Sequence, residues 1–359
     1  CRKQNNALAT ALFLLSLRDR MSPVPILAEK PSPQIGQNKR MIGPNTPNFF
    51  IVGAPKGGTT ALNQYLSSHP DVFISTKEMH YFGSDLSFGP QFYRRDQKAY
   101  LAEFENWDGQ ARVGETSVWY LFSRQAASEI KAFNPEARII IMLREPVATM
   151  YSLYHQFRCD GNEHLRTFEE ALAAEDDRRA GRRISRQCFF PQGLAYRSIT
   201  RFTEQVKRYF DAFGRERVRV IIYDDFAADT PGVYRNTLDF LGVCPSRIDP
   251  KIDFGVINGN QTVKIPALRA ILQDPLVRGT AIALRSRLPK PVFSLIQKAG
   301  LQLSSFNVKA KKRLELAPEL QRSLRREFAV EVEQLSDLLG RDLTHWSNPE
   351  RTVSSVDSK

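Results

Sequence analysis

A chain of 359 residues with 42% hydrophobic and 25% charged side chains can bury a sizeable core, which excludes global disorder. Its 51 basic residues against 39 acidic ones leave a net charge of +12, a balance that steers anionic ligands toward it. No helix-turn-helix, zinc-finger or RNP-type pattern accompanies that charge, so nucleic acid is not an expected partner, and the cysteines (Cys1, Cys159, Cys188, Cys244) form no CxxC pair or Cys/His cluster, so no metal is expected.

The N-terminal extension, residues 1–47, stands apart. The run ALATALFLLSL (7–17) is apolar for 11 residues, too few for a bilayer that needs about 20. It fits the h-region of a signal segment, a stub of a longer anchor or an amphipathic helix. The expectation is a cytoplasmic protein, or a Golgi or secretory-lumen protein if the stretch is an anchor remnant; membrane association is left open. Residues 22–48, rich in Pro, Asn, Ser and Gln, read as a linker. The domain proper is expected over 48–346, with 347–359 as a flexible tail.

Phe49–Val52 is an apolar run that predicts a buried strand over 49–54. It feeds Pro55-Lys56-Gly57-Gly58-Thr59-Thr60, after which Leu62, Tyr65 and Leu66 have helical spacing, predicting a helix over 59–68. A glycine loop between a strand and a helix N-terminus is an anion site, because unpaired N–H groups and the helix dipole converge there. A nucleotide P-loop needs lysine directly after Gly58, where Thr59 stands; Lys56 precedes the glycine pair instead. Phosphate cradling survives that change, but the lysine-then-magnesium-hydroxyl order does not, which disfavours a kinase or NTPase.

A short strand over 71–75, a loop to about 95, a strand over 111–115 and a helix over 123–133 are predicted next. Arg138–Leu143 is a second strongly apolar strand, followed by Arg144-Glu145-Pro146 and a helix over 146–158, which Pro146 is suited to open. Arg144 thus lies at a strand end, and Ser152 stands roughly 9 Å along the helix from Pro146. A guanidinium fork and a hydroxyl so placed can hold a second phosphate. Beyond a charged insert, FEEALAAEDDRRAG, a helix over 193–213, a strand over 218–223 and a helix over 231–241 follow. Cys159 and Cys188 flank the insert and can pair in an oxidising compartment. The remainder, 262–346, reads as mainly helical, with Lys309, Lys311, Lys312, Arg313, Arg322, Arg325 and Arg326 as a solvated basic face. Strands alternating with helices predict an α/β fold: a P-loop-like three-layer αβα arrangement with a central parallel sheet. Ligands of such sheets sit beyond the carboxyl ends of the strands, where Lys56 and Arg144 both fall.

With both motifs in hand, the chain resembles the sulfotransferases that use 3′-phosphoadenylyl sulfate (PAPS), over roughly residues 48–346. The resemblance implies that Pro55, Lys56, Gly57, Gly58, Thr59 and Thr60 bind the 5′ end of PAPS and that Arg144 and Ser152 hold its 3′-phosphate. Tyr196 and Lys264 are assigned to the cofactor as well. The segments 214–226, 234–243 and 338–346 are similar to the family's closing elements. Lys77-Glu78-Met79-His80-Tyr81-Phe82 is similar to the K-E-x-H-F-F stretch of the carbohydrate-directed branch, which implies Glu78 as the base for the acceptor hydroxyl. His80 is the competing base, a surface pair with Lys77 the plainer reading of Glu78, and a structural histidine that of His80. Lys56 would neutralise the departing phosphate bridge. The implied acceptor is a carbohydrate or a small metabolite hydroxyl. Two departures stand out: Thr116 occupies the place of a substrate-side lysine in Gly114-Glu115-Thr116-Ser117, and no basic glycine-containing cofactor loop follows, Lys264 and Gln261 being the candidates there. The rivals are a P-loop nucleotide or small-molecule kinase and a non-catalytic PAPS-binding scaffold.

Overall fold

The computed structural model describes residues 43–75, 78–88, 96–247, 252–255, 261–263, 308–310 and 315–348. The strands are β1 (Phe49–Gly53), β2 (Val72–Ile74), β3 (Arg112–Thr116), β4 (Arg138–Leu143), β5 (Val218–Ile222), β6 (Gln261–Val263) and β7 (Val308–Ala310). The helices through the insert are α1 (Thr59–Ser67), α2 (Gln97–Ala102), α3 (Ala126–Phe133), α4 (Pro146–Asp160), α5 (Phe168–Ala173), α6 (Glu175–Arg179) and α7 (Tyr196–Ile199). After it come α8 (Phe202–Phe213), α9 (Tyr223–Ala228), α10 (Thr230–Leu241), α11 (Pro318–Glu327) and α12 (Ala329–Leu339).

Strands β2-β3-β1-β4-β5 form one parallel sheet in that order. Alternation along β1 explains the layering, because successive side chains of a strand point to opposite faces. Phe49 and Ile51 pack with Leu62 and Leu66 of α1 and Leu238 and Leu241 of α10. Phe50 and Val52 pack on the other face with Val206 and Tyr209 of α8 and Val332 and Leu335 of α12. The three-layer αβα expectation holds. The chain leaves β1 toward β3 on one side and returns to β4 on the other, so the strand order reverses between β1 and β4, the place where such sheets open a crevice.

Local chemistry moves several boundaries. The helix expected over 193–213 is broken: Ala195 leaves helical geometry at φ −89°, ψ 68°, and the Thr200 hydroxyl donates to the carbonyls of Tyr196 and Arg197, ending α7 before α8 begins. Ser123 accepts from the N–H groups of Gln125 and Ala126, so the helix expected from 123 starts at Ala126. The insert is ordered, α5 opening on a capping box between Thr167 and Glu170. Inside it, Glu163 and Arg178 pair through two hydrogen bonds of 2.8 and 2.7 Å, both side chains buried. Cys159 and Cys188 are not joined by a disulfide. In the mainly helical remainder, β6 and β7 form an antiparallel ribbon, so Lys309 lies on a strand rather than a helical face. Lys311, Lys312 and Arg313 lie outside the described residues. Among the described residues no helix is long and apolar enough to cross a membrane.

Candidate active site

The loop after β1 is shaped by its neighbours across the sheet. Ala54 donates its N–H to the Met142 carbonyl of β4 at 2.7 Å, and Gly57 donates to the Ala54 carbonyl at 3.1 Å. Lys56 sits at φ 65° and Gly58 at φ 97°, consecutive left-handed turns interrupted only by Gly57. A β-carbon on Gly57 would strike the Met142 carbonyl oxygen, which is why this position carries none. Gly58 caps α1, whose first turn holds no acidic residue and no side-chain cap. The helix N-terminus therefore presents its N–H groups, and its positive dipole end, to an incoming anion.

Arg144, at the carboxyl end of β4, lays its guanidinium over the Tyr223 ring at 4.6 Å from the centroid. The same ring lies against Gly58, where a β-carbon would come within 3.3 Å of it. Tyr223 therefore joins the loop to Arg144, and a face-on stack leaves the edge N–H donors of a guanidinium for a phosphate. Ser152 is buried on α4. The N-cap of that helix, Glu145, accepts from the Ala148 N–H and pairs with Arg325 of α11 at 3.0 Å.

On the other side of Lys56 stands Glu78. Its side chain is 44% exposed, while His80, 3.7 Å away through Nε2, is 10% exposed. Glu78 keeps contact with water while most of its neighbourhood is protein. Those surroundings and the negative charge of Glu115 raise its pKa to about 7, against the opposing pull of Lys56. The Lys56 ammonium also donates to Gln156 Oε1 of α4 at 3.4 Å, and Gln156 donates to Asp160 at 2.7 Å. His80 is a different kind of residue. Its ring stacks on Phe88 at 4.2 Å, its backbone has φ 50°, and burial pushes its pKa down to about 4, so the imidazole is neutral at pH 7.

The structure places Pro55–Thr60 directly after β1, Arg144 directly after β4, Ser152 buried within α4, and Glu78 and His80 in the segment that follows β2. It takes Tyr196 elsewhere: that phenol is fully buried and donates to Glu163 at 3.0 Å beneath the insert, leaving no surface for a ligand. Lys264 and Lys77 lie outside the described residues. Thr116 donates to Asn63 of α1 at 2.6 Å, so the position of the missing lysine braces a helix. Sequence reasoning missed Tyr223, Gln156 and the Glu115 cluster. Tyr223 alone left a signal, as the first polar-tipped residue after an apolar strand neighbouring β4. Among the described residues no cluster of His, Cys, Asp or Glu is arranged to hold a metal.

This geometry has known counterparts. Residues 46–271 match the Sulfotransferase domain family, and the chain belongs to it. It is 32% identical over 110 residues to the membrane-associated sulfotransferase kil1 of Dictyostelium discoideum, which covers 30% of this chain and 22% of that protein. It is 26% identical over 223 residues to mouse heparan sulfate glucosamine 3-O-sulfotransferase 3A1, covering 62% of this chain and 51% of that one. The chain therefore spans about half or less of the length of these relatives. Among solved structures, a sulfotransferase from Alicyclobacillus acidocaldarius superposes with a TM-score of 0.61 at 32% identity, covering 84% of this chain and 98% of that one.

Proposed function

We propose that this chain transfers a sulfuryl group from PAPS to an acceptor hydroxyl, and that the acceptor is a carbohydrate. One observation carries the reading: a glycine-loop anion site, a guanidinium stacked at the end of the next strand and a carboxylate held near neutrality converge on one crevice of the sheet. The residues fit the donor. Gly57 keeps the loop open for close backbone approach, and Arg144 offers a fork suited to the 3′-phosphate, to which Ser152 of α4 is also assigned. The heparan sulfate enzymes among the relatives support a glycan acceptor.

Bound PAPS supplies an electrophilic sulfur and a phosphate leaving group. The acceptor oxygen forms a bond to that sulfur as the sulfur–phosphate oxygen bond breaks. Glu78, ionised, takes the acceptor's proton. His80, neutral and stacked on Phe88 with its Nε2 3.7 Å from Glu78, is the competing base. Lys56 neutralises the charge growing on the leaving phosphate, and the loop N–H groups stabilise the sulfuryl oxygens. The decisive test is radiolabelled sulfate transfer from PAPS to a panel of glycans and small alcohols, run beside ATP with magnesium. Sulfation of glycans alone supports the reading in full, sulfation of small alcohols alone replaces the acceptor class, and phosphoryl transfer overturns it.

A further inference from the structure

Glu115 lies in the middle of β3, fully buried, opposite Phe50 of β1. Its Oε2 accepts from the Tyr100 hydroxyl at 2.6 Å, and its Oε1 accepts from the hydroxyls of Ser117 at 2.7 Å and Tyr120 at 2.6 Å. Two of those hydroxyls do more. Ser117 Oγ accepts from the backbone N–H groups of Met79 at 3.1 Å and His80 at 3.2 Å. Tyr120 Oη accepts from those of Tyr81 at 2.8 Å and Phe82 at 3.2 Å. Consecutive amides from Met79 to Phe82 are thus held by two hydroxyls whose protons converge on one carboxylate. The side chains follow the backbone: Tyr81 stacks on Tyr100 at 4.1 Å, and the Phe82 ring meets Tyr120 edge-on at 5.6 Å.

A hydroxyl has one proton and two lone pairs, and an ionised carboxylate only accepts. The carboxylate therefore decides which way both hydroxyls point. We propose that Glu115 is a positioning residue: by drawing the protons of Ser117 and Tyr120 to itself, it turns their lone pairs toward residues 79–82 and fixes the backbone that carries Glu78 and His80. The proposal rests on the reading of Glu78 as the base. Glutamine keeps one oxygen, which can still accept from both Ser117 and Tyr120 as Oε1 does, so the substitution that frees both hydroxyls to turn is one without an acceptor, Glu115→Leu.

The same residue acts on Glu78 through its charge. Glu78 is faced by Glu115, Lys56 and His80. Glu115 is faced by Tyr100 of α2, by Ser117 and Tyr120 just past β3 and by Tyr209 of α8. Burial raises the Glu115 pKa and the three hydroxyl hydrogen bonds oppose that rise.

The test is hydrogen exchange at the amides of residues 79–82, with binding of adenosine 3′,5′-bisphosphate as the control for folding. Losing one hydrogen bond speeds exchange by about tenfold. Ser117→Ala should release Met79 and His80 only, and Tyr120→Phe should release Tyr81 and Phe82 only. Glu115→Leu should speed exchange in both pairs, keep binding of the bisphosphate, and lower the titration midpoint of Glu78 read by carboxyl 13C NMR. A folded Glu115→Leu protein with wild-type exchange and an unmoved Glu78 midpoint overturns the proposal. If that variant does not fold, the two hydroxyl variants decide: reciprocal release supports it, and unchanged or uniform exchange refutes it. Normal turnover of Glu78→Gln would instead overturn the base assignment, and would leave the exchange pattern to stand on its own.

Discussion

At the scale of single residues, Glu78 and His80 show how burial divides two neighbouring groups into different roles. Desolvation acts against the charged form of both, which raises a carboxylate and lowers an imidazole. Glu78, at about 7, changes charge near physiological pH, whereas His80, at about 4, stays neutral. A base works when ionised, so turnover should rise with pH through about 7, and Lys56→Ala, which removes a charge that favours the ionised form, should move that limb upward. A pH–rate profile of both proteins checks the direction. Stability linked to Glu78 runs the other way, present below its ordinary 4.5 and lost as pH rises through about 7. Glu78→Gln should leave binding of adenosine 3′,5′-bisphosphate intact while kcat falls by roughly 10²–10⁴; a dead His80→Ala beside a normal Glu78→Gln would transfer the role to His80. Arg144→Lys keeps the charge but loses both the fork and the flat stack on Tyr223. Calorimetric affinity for the bisphosphate should fall by about tenfold or more, the equivalent of ~1.5–3 kcal/mol for a charged hydrogen bond.

Elements position these residues by steric fit across the sheet. The loop after β1 runs so close to β4 that Gly57 has no room for a side chain beside the Met142 carbonyl. Gly57→Ala should therefore cost about 1–3 kcal/mol on thermal unfolding, as overpacking does, and abolish bisphosphate binding by pushing the loop off its site. The insert depends on a different kind of contact, the buried pair of Arg178 and Glu163 with Tyr196 on the same carboxylate. Removing one partner leaves a buried charge uncompensated, at about 3–5 kcal/mol. Arg178→Met should thus lower the melting temperature far more than Arg182→Met, whose parent pairs with Asp177 at the surface. This contact is one the sequence does not express: there Tyr196 is an aromatic at the start of a helix, and only the distant Glu163 reveals that its hydroxyl is engaged.

For the molecule as a whole, the proposed function assigns one phosphate of the donor to the loop after β1 and the other to Arg144 and Ser152, so a ligand with both phosphates should stabilise the fold through both. Adenosine 3′,5′-bisphosphate at one hundred times its Kd should add about 2.7 kcal/mol to the unfolding free energy, and 5′-AMP should add clearly less in the same thermal melt; equal shifts would remove the role of Arg144 and Ser152. Much of this plan was legible in the residues themselves. Apolar runs at 49–52 and 138–143 announce buried parallel strands, because a strand covered on both faces needs no polar alternation. The glycine pair with Lys56, and Arg144 before Pro146, mark strand ends, because turn and helix-start chemistry is local. What neighbours in sequence cannot express is contact across the sheet. Tyr223 between Gly58 and Arg144, Gln156 under Lys56, and Glu115 behind the loop of Glu78 are meetings of residues far apart in the chain. Composition and local pattern determined the class of fold and the glycine loop that follows its first strand. The protonation of the base and the orientation of the groups around it were decided by tertiary structure, because burial and hydrogen-bond direction exist only once distant segments have packed.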